Sequence, residues 1–242
     1  MGSKSRIAKH IVPIIQHYID HSGAAEYIEP FVGGANVIDK IDAPSRSGND
    51  INPYLIALLS FMQRGGTLPD GISYEEYSAV RADKARFPAW FVGCAGFLAS
   101  YNGRFFDGGY AGIVHTKAGT VRDYYAEARR NLIEQAQRLE SIEFACKDYR
   151  MYSGQSTFKN CVIYCDPPYK GTKQYTNSGR FNYGEFWETM RQWSESNVVL
   201  VSEYNAPDDF TCIWEQPIFR TVDNTKRVPT MERMFLYDRG RS

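Results

Sequence analysis

Residues Val162-Ile163-Tyr164-Cys165-Asp166-Pro167-Pro168-Tyr169 are the most informative part of this chain, because a short apolar run passes directly into a proline-rich polar segment. Such a run bounded by turn residues predicts a buried strand. In an open α/β sheet, ligands bind outside the carboxyl ends of the strands. We therefore expect the segment from Asp166 to Tyr169 to project into a binding crevice.

Strands and helices alternate along the rest of the chain. Strands are predicted at 26–31, at a weak run ending at 49–50, and at 142–146, 162–165 and 198–202, and helices at 7–19, 35–41, 53–62, 73–84, 90–100, 122–140 and 185–195. This alternation predicts an α/β fold with a largely parallel sheet covered on both faces. Two strands in succession, near 218–222 and 234–237, predict an antiparallel edge.

Composition limits the classes of protein to which the chain can belong. Its 242 residues suit one core with one sizeable insertion, and a hydrophobic share of 43% excludes wholesale disorder. No apolar run approaches the roughly 18–20 residues of a membrane span, and the first residues lack a signal-peptide pattern. The net charge of zero argues against non-specific coating of nucleic acid. We expect a cytoplasmic protein without a membrane partner.

The five cysteines are an odd number without a paired framework, which suits a reducing compartment. Cys161 and Cys165 are close enough in sequence to suggest metal ligands. However, no second pair follows at zinc-site spacing, and both flank an apolar run. We expect a structural role for them and no bound metal.

The Asp-Pro-Pro-Tyr segment has groups that could activate the exocyclic amine of adenine, whose lone pair is delocalised into the ring. Asp166 and the Pro167 carbonyl can accept the two amine hydrogens, so that the nitrogen directs its lone pair at an electrophilic methyl group. The prolines fix the backbone, and Tyr169 can stack on a base flipped out of the duplex. A simple turn after a strand is the structural alternative.

A glycine pair follows the first predicted strand, in Glu29-Pro30-Phe31-Val32-Gly33-Gly34. Gly33 and Gly34 allow a tight turn and a close approach to a ligand. Asp50 lies near the roughly 20-residue spacing at which an acidic side chain reaches ribose hydroxyls. Capping of a helix at Pro53 is the alternative role for Asp50. The loop lacks the full G-x-G-x-x-G spacing, which makes a nicotinamide-dependent dehydrogenase a remote alternative.

Taken together, these segments resemble the Dam-type, or D12-class, DNA adenine-N6 methyltransferases. The glycine segment is similar to the family's cofactor loop, Asp50-Ile51-Asn52 to the acidic residue after its second strand, and Asp166 to Tyr169 to its catalytic motif, in the same order. The resemblance implies a Rossmann-like S-adenosylmethionine-dependent methyltransferase sheet. It also implies a catalytic domain at 1–52 and 121–242 and an inserted, mainly helical target-recognition region at 53–120. Ala35 departs from the family, which commonly has glycine there.

The resemblance implies further site residues. The expected catalytic set is Asp166, Pro167, Pro168 and Tyr169. The expected cofactor-binding set is Lys4, Phe31, Gly33, Gly34, Asp50, Asp148, Tyr149 and Asp166. The expected DNA-binding set is Tyr101, Asn102, Arg104, Lys117, Lys170 and Lys173. The segment from Tyr101 to Arg104 resembles the start of the family's DNA-reading hairpin, and Ser202 to Asn205 resembles a segment that lines the target-base pocket.

The expected function is site-specific methylation of a flipped adenine in double-stranded DNA, with S-adenosylmethionine as donor, by a monomer or weak dimer. Two alternatives remain open. The same donor could serve cytosine N4, an RNA adenine or a protein amide, although related motifs for other acceptors more often begin with Ser or Asn than with Asp. A catalytically silent DNA-binding relative could share the fold. The sequence leaves open the target site and any partner restriction enzyme.

Overall fold

The computed structural model describes residues 4–115, 119–152, 158–171, 181–221 and 227–238. Within these ranges the strands are β1 Glu26–Glu29, β2 Arg46–Asp50, β3 Ile113–His115, β4 Val121–Asp123, β5 Ile142–Cys146, β6 Cys161–Cys165, β7 Val198–Glu203, β8 Phe210–Thr221 and β9 Arg227–Tyr237. The α-helices are α1 Ala8–Ser22, α2 Pro53–Gln63, α3 Tyr74–Ala82, α4 Ala89–Gly93, α5 Tyr124–Ala136 and α6 Tyr183–Ser194.

Seven of these strands form one sheet in the order β5-β2-β1-β6-β7-β9-β8. The first five pair in parallel, and β9 runs antiparallel to both β7 and β8. This arrangement confirms the predicted α/β fold and its antiparallel edge. The chain moves from β1 to β2 on one side, whereas β6 and β7 lie on the other. The gap between the carboxyl ends of β1 and β6 is therefore a topological switch point, where such sheets bind ligands.

The central strand β6 is buried along its whole length, which explains its continuous apolar sequence. Cys161 and Cys165 are free thiols within it and pack against the sheet's neighbours. Their spacing places both on one face of the strand, in keeping with the structural role expected from the sequence.

Local sequence signals account for the ends of several elements. In α1, buried Ile11, Ile15 and Ile19 recur at helical spacing. The Asn52 side chain caps α2 by accepting from two backbone amides, and Pro53 takes the first helical position. Ser73 and Glu76 form the predicted capping box at the start of α3.

Several predicted elements differ in the structure. The helix predicted at 122–140 begins only at Tyr124, because Val121–Asp123 forms the strand β4. The first strand ends at Glu29 rather than 31, because Pro30 cannot continue a strand ladder. The predicted helix at 35–41 is only a 3-10 turn, Ile38–Lys40. The predicted helix at 90–100 is α4 followed by a π-helix, Cys94–Leu98. In this last segment Gly93 lies against the Tyr54 backbone and Gly96 against the Phe105 ring, and an added Cβ would come within 2.2 and 2.3 Å of them.

The region 53–120 is mainly helical in its described residues. Its first helix, α2, packs against β2 and β5 and shares the core of the sheet. At its other end, β3 lies inside the region and pairs with β4, which begins just beyond the predicted boundary at residue 120. Ile113 lies opposite Asp123. The division of the chain at 53–120 stays a prediction. None of the helices that the structure describes is both long and apolar enough to span a membrane.

Candidate active site

The glycine loop after β1 is tied to the end of β2. The Gly33 amide donates to Asp50 Oδ2 at 3.2 Å, and the Asn52 amide donates to Asp50 Oδ1 at 2.9 Å. The Val32 amide donates to the Asn49 carbonyl at 2.7 Å. Burial raises the pKa of Asp50, although these backbone donors oppose the shift. The loop and the acidic residue expected to bind a cofactor therefore form one unit.

Positive φ angles shape the turn in this loop. Gly33 has φ +51° and Ala35 has φ +54°, a region that favours glycine. The alanine thus adopts the backbone conformation that a glycine would supply, and the departure from the family pattern does not prevent the turn. The buried Gln135 side chain on α5 donates to the Gly34 and Ala35 carbonyls at 3.0 and 2.9 Å, which fastens the turn to the helix.

An aromatic cluster lies beside the loop. The Phe31 ring centroid is 5.2 Å from that of Tyr149, 5.9 Å from Phe186 and 6.1 Å from Phe181. The structure thus brings together Phe31 and Tyr149, which lie far apart in sequence. Phe181 and Phe186 were missed from the sequence. Apolar side chains at helical spacing on α6 indicated only a buried face, not what that face covers.

Asp148 follows β5 and is held by Arg150. The Arg150 side chain donates to both carboxylate oxygens at 3.0 and 2.5 Å, and its backbone amide also donates to Oδ1 at 3.0 Å. Hydrogen bonds from Arg150 lower the pKa of Asp148. A carboxylate has about four acceptor positions, so Asp148 still has capacity for one further donor.

At the end of β6, Lys4 joins two carboxylates. Its ammonium lies 3.1 Å from Asp166 Oδ1 and 2.5 Å from Glu232 Oε1. The Tyr169 hydroxyl donates to the same Glu232 oxygen and also contacts the Lys4 ammonium. The Lys4 ammonium lies 4.5 Å from the centroid of the Tyr169 ring, on the side of its hydroxyl. The structure therefore brings Lys4 into contact with both ends of the Asp-Pro-Pro-Tyr motif.

Burial and neighbouring charges shift the pKa values of Asp166 and Lys4. Burial and the Glu232 charge together raise the pKa of Asp166 to about 6, against the opposing effect of Lys4. Burial alone would lower the pKa of Lys4, but the carboxylates of Asp166 and Glu232 hold it above its ordinary value. Lys4 is therefore a cation at neutral pH, beside a carboxyl that titrates only about one unit below.

Neighbouring elements fix the path of the motif. The Tyr183 hydroxyl at the start of α6 donates to the Pro168 carbonyl at 2.9 Å. The Glu203 carboxylate at the end of β7 accepts from the backbone amides of Lys170, at 2.6 Å, and Tyr204. The Tyr204 ring meets the Tyr169 ring edge-on, at 4.6 Å and 89°. The segment expected to line a base pocket is thus in contact with the motif.

Glu232 was missed by sequence reasoning. Its side chain is only 4% exposed, whereas that of Asp166 is 21% exposed. The available signal was alternation along β9, where Glu232 shares a strand face with the fully buried Met234. A carboxylate on the buried face of a strand requires a partner, and a sequence alone does not name one.

The expected DNA-binding residues fall into two groups. Tyr101, Asn102, Arg104 and Lys170 are exposed, and Asn102 has φ +55°. Lys117 and Lys173 lie outside the described residues. The β3–β4 hairpin exposes three apolar side chains that the sequence did not single out: Ile113 at 68%, Val114 at 42% and Val121 at 62%. Clustered exposed apolar residues are typical of an interaction surface.

Across the described ranges, no three His, Cys, Asp or Glu side chains are grouped so that they could hold a metal ion.

The architecture is that of a Rossmann-like α/β protein, with a glycine turn, an acidic residue and a proline-fixed aspartate at adjacent strand ends. The chain belongs to the D12 class N6 adenine-specific DNA methyltransferase family, whose sequence model matches residues 1–80 and 114–200.

Individual relatives are distant. The type II methyltransferase M.FokI of Planomicrobium okeanokoites is 22% identical over an alignment of 214 residues that covers 79% of this chain and 31% of that protein. The chain thus spans about a third of the length of this relative. Among solved structures, the rRNA methyltransferase aviRa of Streptomyces viridochromogenes has a TM-score of 0.42 at 12% identity, covering 96% of this chain and 84% of that one. TrmN of Thermus thermophilus has a TM-score of 0.37 at 9% identity, covering 94% and 48%.

Proposed function

We propose that this protein transfers a methyl group from S-adenosylmethionine to N6 of an adenine flipped out of duplex DNA. One observation carries the proposal: the Gly33–Asp50 unit and the Asp166 to Tyr169 motif lie at the carboxyl ends of the adjacent parallel strands β1 and β6. A donor held at the first and an acceptor held at the second would meet at the switch point. Membership of the D12 family supports the same reaction.

The residues around the glycine loop fit the donor. Asp50 lies at the strand end where a carboxylate binds ribose hydroxyls. Phe31 and Tyr149 offer an apolar wall, and Asp148 retains capacity to accept from an adenine amine. Gly34 adds no side chain to the loop, and an added Cβ there would meet only the amide end of the Asn36 side chain, at 2.8 Å. S-adenosylmethionine, when bound, supplies an electrophilic methyl group on a sulfonium.

The motif fits the acceptor. In its anionic form, Asp166 can accept one amine hydrogen while the Pro167 carbonyl accepts the other, which localises the nitrogen lone pair. Lys4 favours that anionic form. Tyr169 is held by its hydroxyl, so its ring plane is fixed for stacking.

Several exposed side chains are of the types that contact duplex DNA. Arg104 and Asn102 can bind guanine and adenine edges, and Lys170 can contact phosphate beside the motif. The hairpin residues Ile113 and Val121 could pack against sugars or bases. Lys117 and Lys173 are proposed as further phosphate contacts from the sequence alone.

A competition between acceptors tests the proposal. Labelled S-adenosylmethionine would be offered with equal masses of unmethylated duplex DNA, the same sequence as RNA, and a mixed protein substrate. We expect label in the DNA only, and none when Asp166 is replaced by asparagine. Label in RNA or protein instead would favour another acceptor. Donor binding without any transfer would favour a catalytically silent relative.

A further inference from the structure

The Lys4 ammonium is shared unequally between two carboxylates. It lies 2.5 Å from Glu232 and 3.1 Å from Asp166. Glu232 comes from β9 at the antiparallel edge of the sheet and lies 228 positions from Lys4. The shorter contact is therefore made to the carboxylate that is not part of the Asp-Pro-Pro-Tyr motif.

Glu232 is also the more enclosed of the two. Its side chain is 4% exposed against 21% for Asp166. Burying a carboxylate is unfavourable unless it gains strong partners. Here it gains two, the Lys4 ammonium and the Tyr169 hydroxyl. Asp166 keeps 21% of its side chain exposed, which leaves it accessible to an acceptor.

We propose that Glu232 is a positioning residue for methyl transfer: it draws Lys4 away from Asp166 and anchors the Tyr169 hydroxyl, so that Asp166 keeps an oxygen free for the target amine. This inference rests on the proposed function. Without the Glu232 charge, the Lys4 ammonium would close onto Asp166 and compete with the amine for its oxygens. The Tyr169 hydroxyl would lose a charged acceptor and could turn to Asp166, with which it already interacts.

Removing the Glu232 charge also has a defined electrostatic sign. Because Glu232 raises the pKa of Asp166, its replacement by glutamine should lower that pKa. The other titratable groups around Asp166 come from the N-terminal segment, the motif itself and the strands packed beside it: Lys4, Tyr169, Tyr164, Cys165, Glu29 and Glu203. None of these groups is substituted in the variant, and a Lys4 ammonium closer to Asp166 would lower the pKa of Asp166 in the same direction.

Three variants test the role of Glu232. Glu232→Gln removes the charge and keeps the shape, Glu232→Asp keeps the charge, and Glu143→Gln makes the same change at an exposed position of β5. We expect Glu232→Gln to lower kcat roughly 100-fold, as for a misplaced reacting group, with KM for the donor within about twofold. Glu232→Asp should restore part of kcat, and Glu143→Gln should match the wild type.

A carboxyl-carbon NMR titration of Asp166 supplies a readout that does not depend on turnover. In Glu232→Gln the Asp166 pKa should fall, and the acid limb of the kcat profile should move to lower pH with it. An unmoved Asp166 pKa, or a wild-type kcat in Glu232→Gln, would overturn the positioning role. If Glu232→Gln and Glu232→Asp lowered kcat equally and both also lowered the melting temperature, Glu232 would be a structural residue only. Absence of transfer by the wild type would instead overturn the proposed function.

Discussion

Two effects of opposite sign act on the charge of Asp166: burial disfavours its anionic form, and a nearby ammonium favours it. Asp166 is enclosed enough for burial to raise its pKa to about 6, yet the Lys4 ammonium 3.1 Å away favours its charged form. An anionic carboxylate that is poorly hydrated is a strong acceptor of a hydrogen bond. The proposed chemistry at the amine depends on this single residue more than on any other.

Replacement of Asp166 by asparagine should lower kcat at least about 1000-fold, because the amide has one acceptor oxygen and no charge to offer the amine. The fold should persist, since the side chain is partly exposed. Transfer of labelled methyl groups and thermal melting measure the two effects. Asp208→Asn, the same change at an exposed loop position, is the control. A variant within tenfold of the wild type would exclude Asp166 as the amine acceptor.

The pH dependence of transfer follows from the same residue. Below about pH 6 Asp166 is protonated and loses the negative charge that makes it a strong acceptor for the amine, so kcat should fall about tenfold for each further pH unit. Because its folded-state pKa is raised above the unfolded value, protonation of Asp166 stabilises the fold as pH falls through 6. Unfolding linked to Asp166 therefore cannot produce this loss. A kcat that stays constant from pH 7 to pH 5 would contradict the assignment.

At the scale of elements, the glycine turn depends on a helix that is remote in sequence. Gln135 on α5 donates to the carbonyls of Gly34 and Ala35, so α5 holds the turn in the conformation that meets Asp50. The loop is thus ordered before any donor binds, which reduces the entropy lost on binding.

Gln135→Leu should loosen this turn. Two carbonyls lose their donor, which should cost about 1–3 kcal/mol of folding free energy, measured by urea unfolding. Calorimetry should show donor affinity weakened about tenfold, since binding must then order the loop. Gln137→Leu, at an exposed neighbouring position, controls for the added apolar side chain. Unchanged donor affinity in Gln135→Leu would show that the turn does not bind the donor.

The β3–β4 hairpin is the second element with a testable role. Ile113→Ser and Val121→Ser should each weaken duplex DNA binding by about 1–2 kcal/mol, because each removes exposed apolar surface available for contact. Donor binding should not change. Fluorescence anisotropy with labelled duplex measures the effect, and Ile133→Ser, an exposed isoleucine on α5, is the control. Wild-type DNA affinity in both hairpin variants would remove the hairpin from the interface.

For the molecule as a whole, periodicity and motif spacing predicted the α/β fold, the antiparallel edge and the segments at the switch point. Local signals carried these predictions: the apolar run of β6, the capping residues of α2 and α3, and the glycine turn. Glu232 was not predicted because its partners lie on other elements, and only the sheet order brings β9 near Lys4. Similarly, the π-helix at Cys94–Leu98 arises where the chain packs closely through Gly93 and Gly96, which helical periodicity does not report.

The sheet unites regions that span nearly the whole chain. Lys4 contacts Tyr169, which is 165 positions away in sequence, and Glu232, which is 228 positions away. The hydrogen bond between Gly33 and Asp50 joins two further strand ends. A site assembled in this way should form only in the folded chain. We propose that this assembled site methylates adenine N6.

The most direct test is the identity of the methylated nucleoside. Duplex DNA is incubated with the protein and labelled S-adenosylmethionine, digested to nucleosides and separated by chromatography with mass detection. We expect label in N6-methyl-2′-deoxyadenosine with the wild type and none with Asp166→Asn. Label in N4-methyldeoxycytidine, or equal label with the wild type and Asp166→Asn, would contradict this expectation.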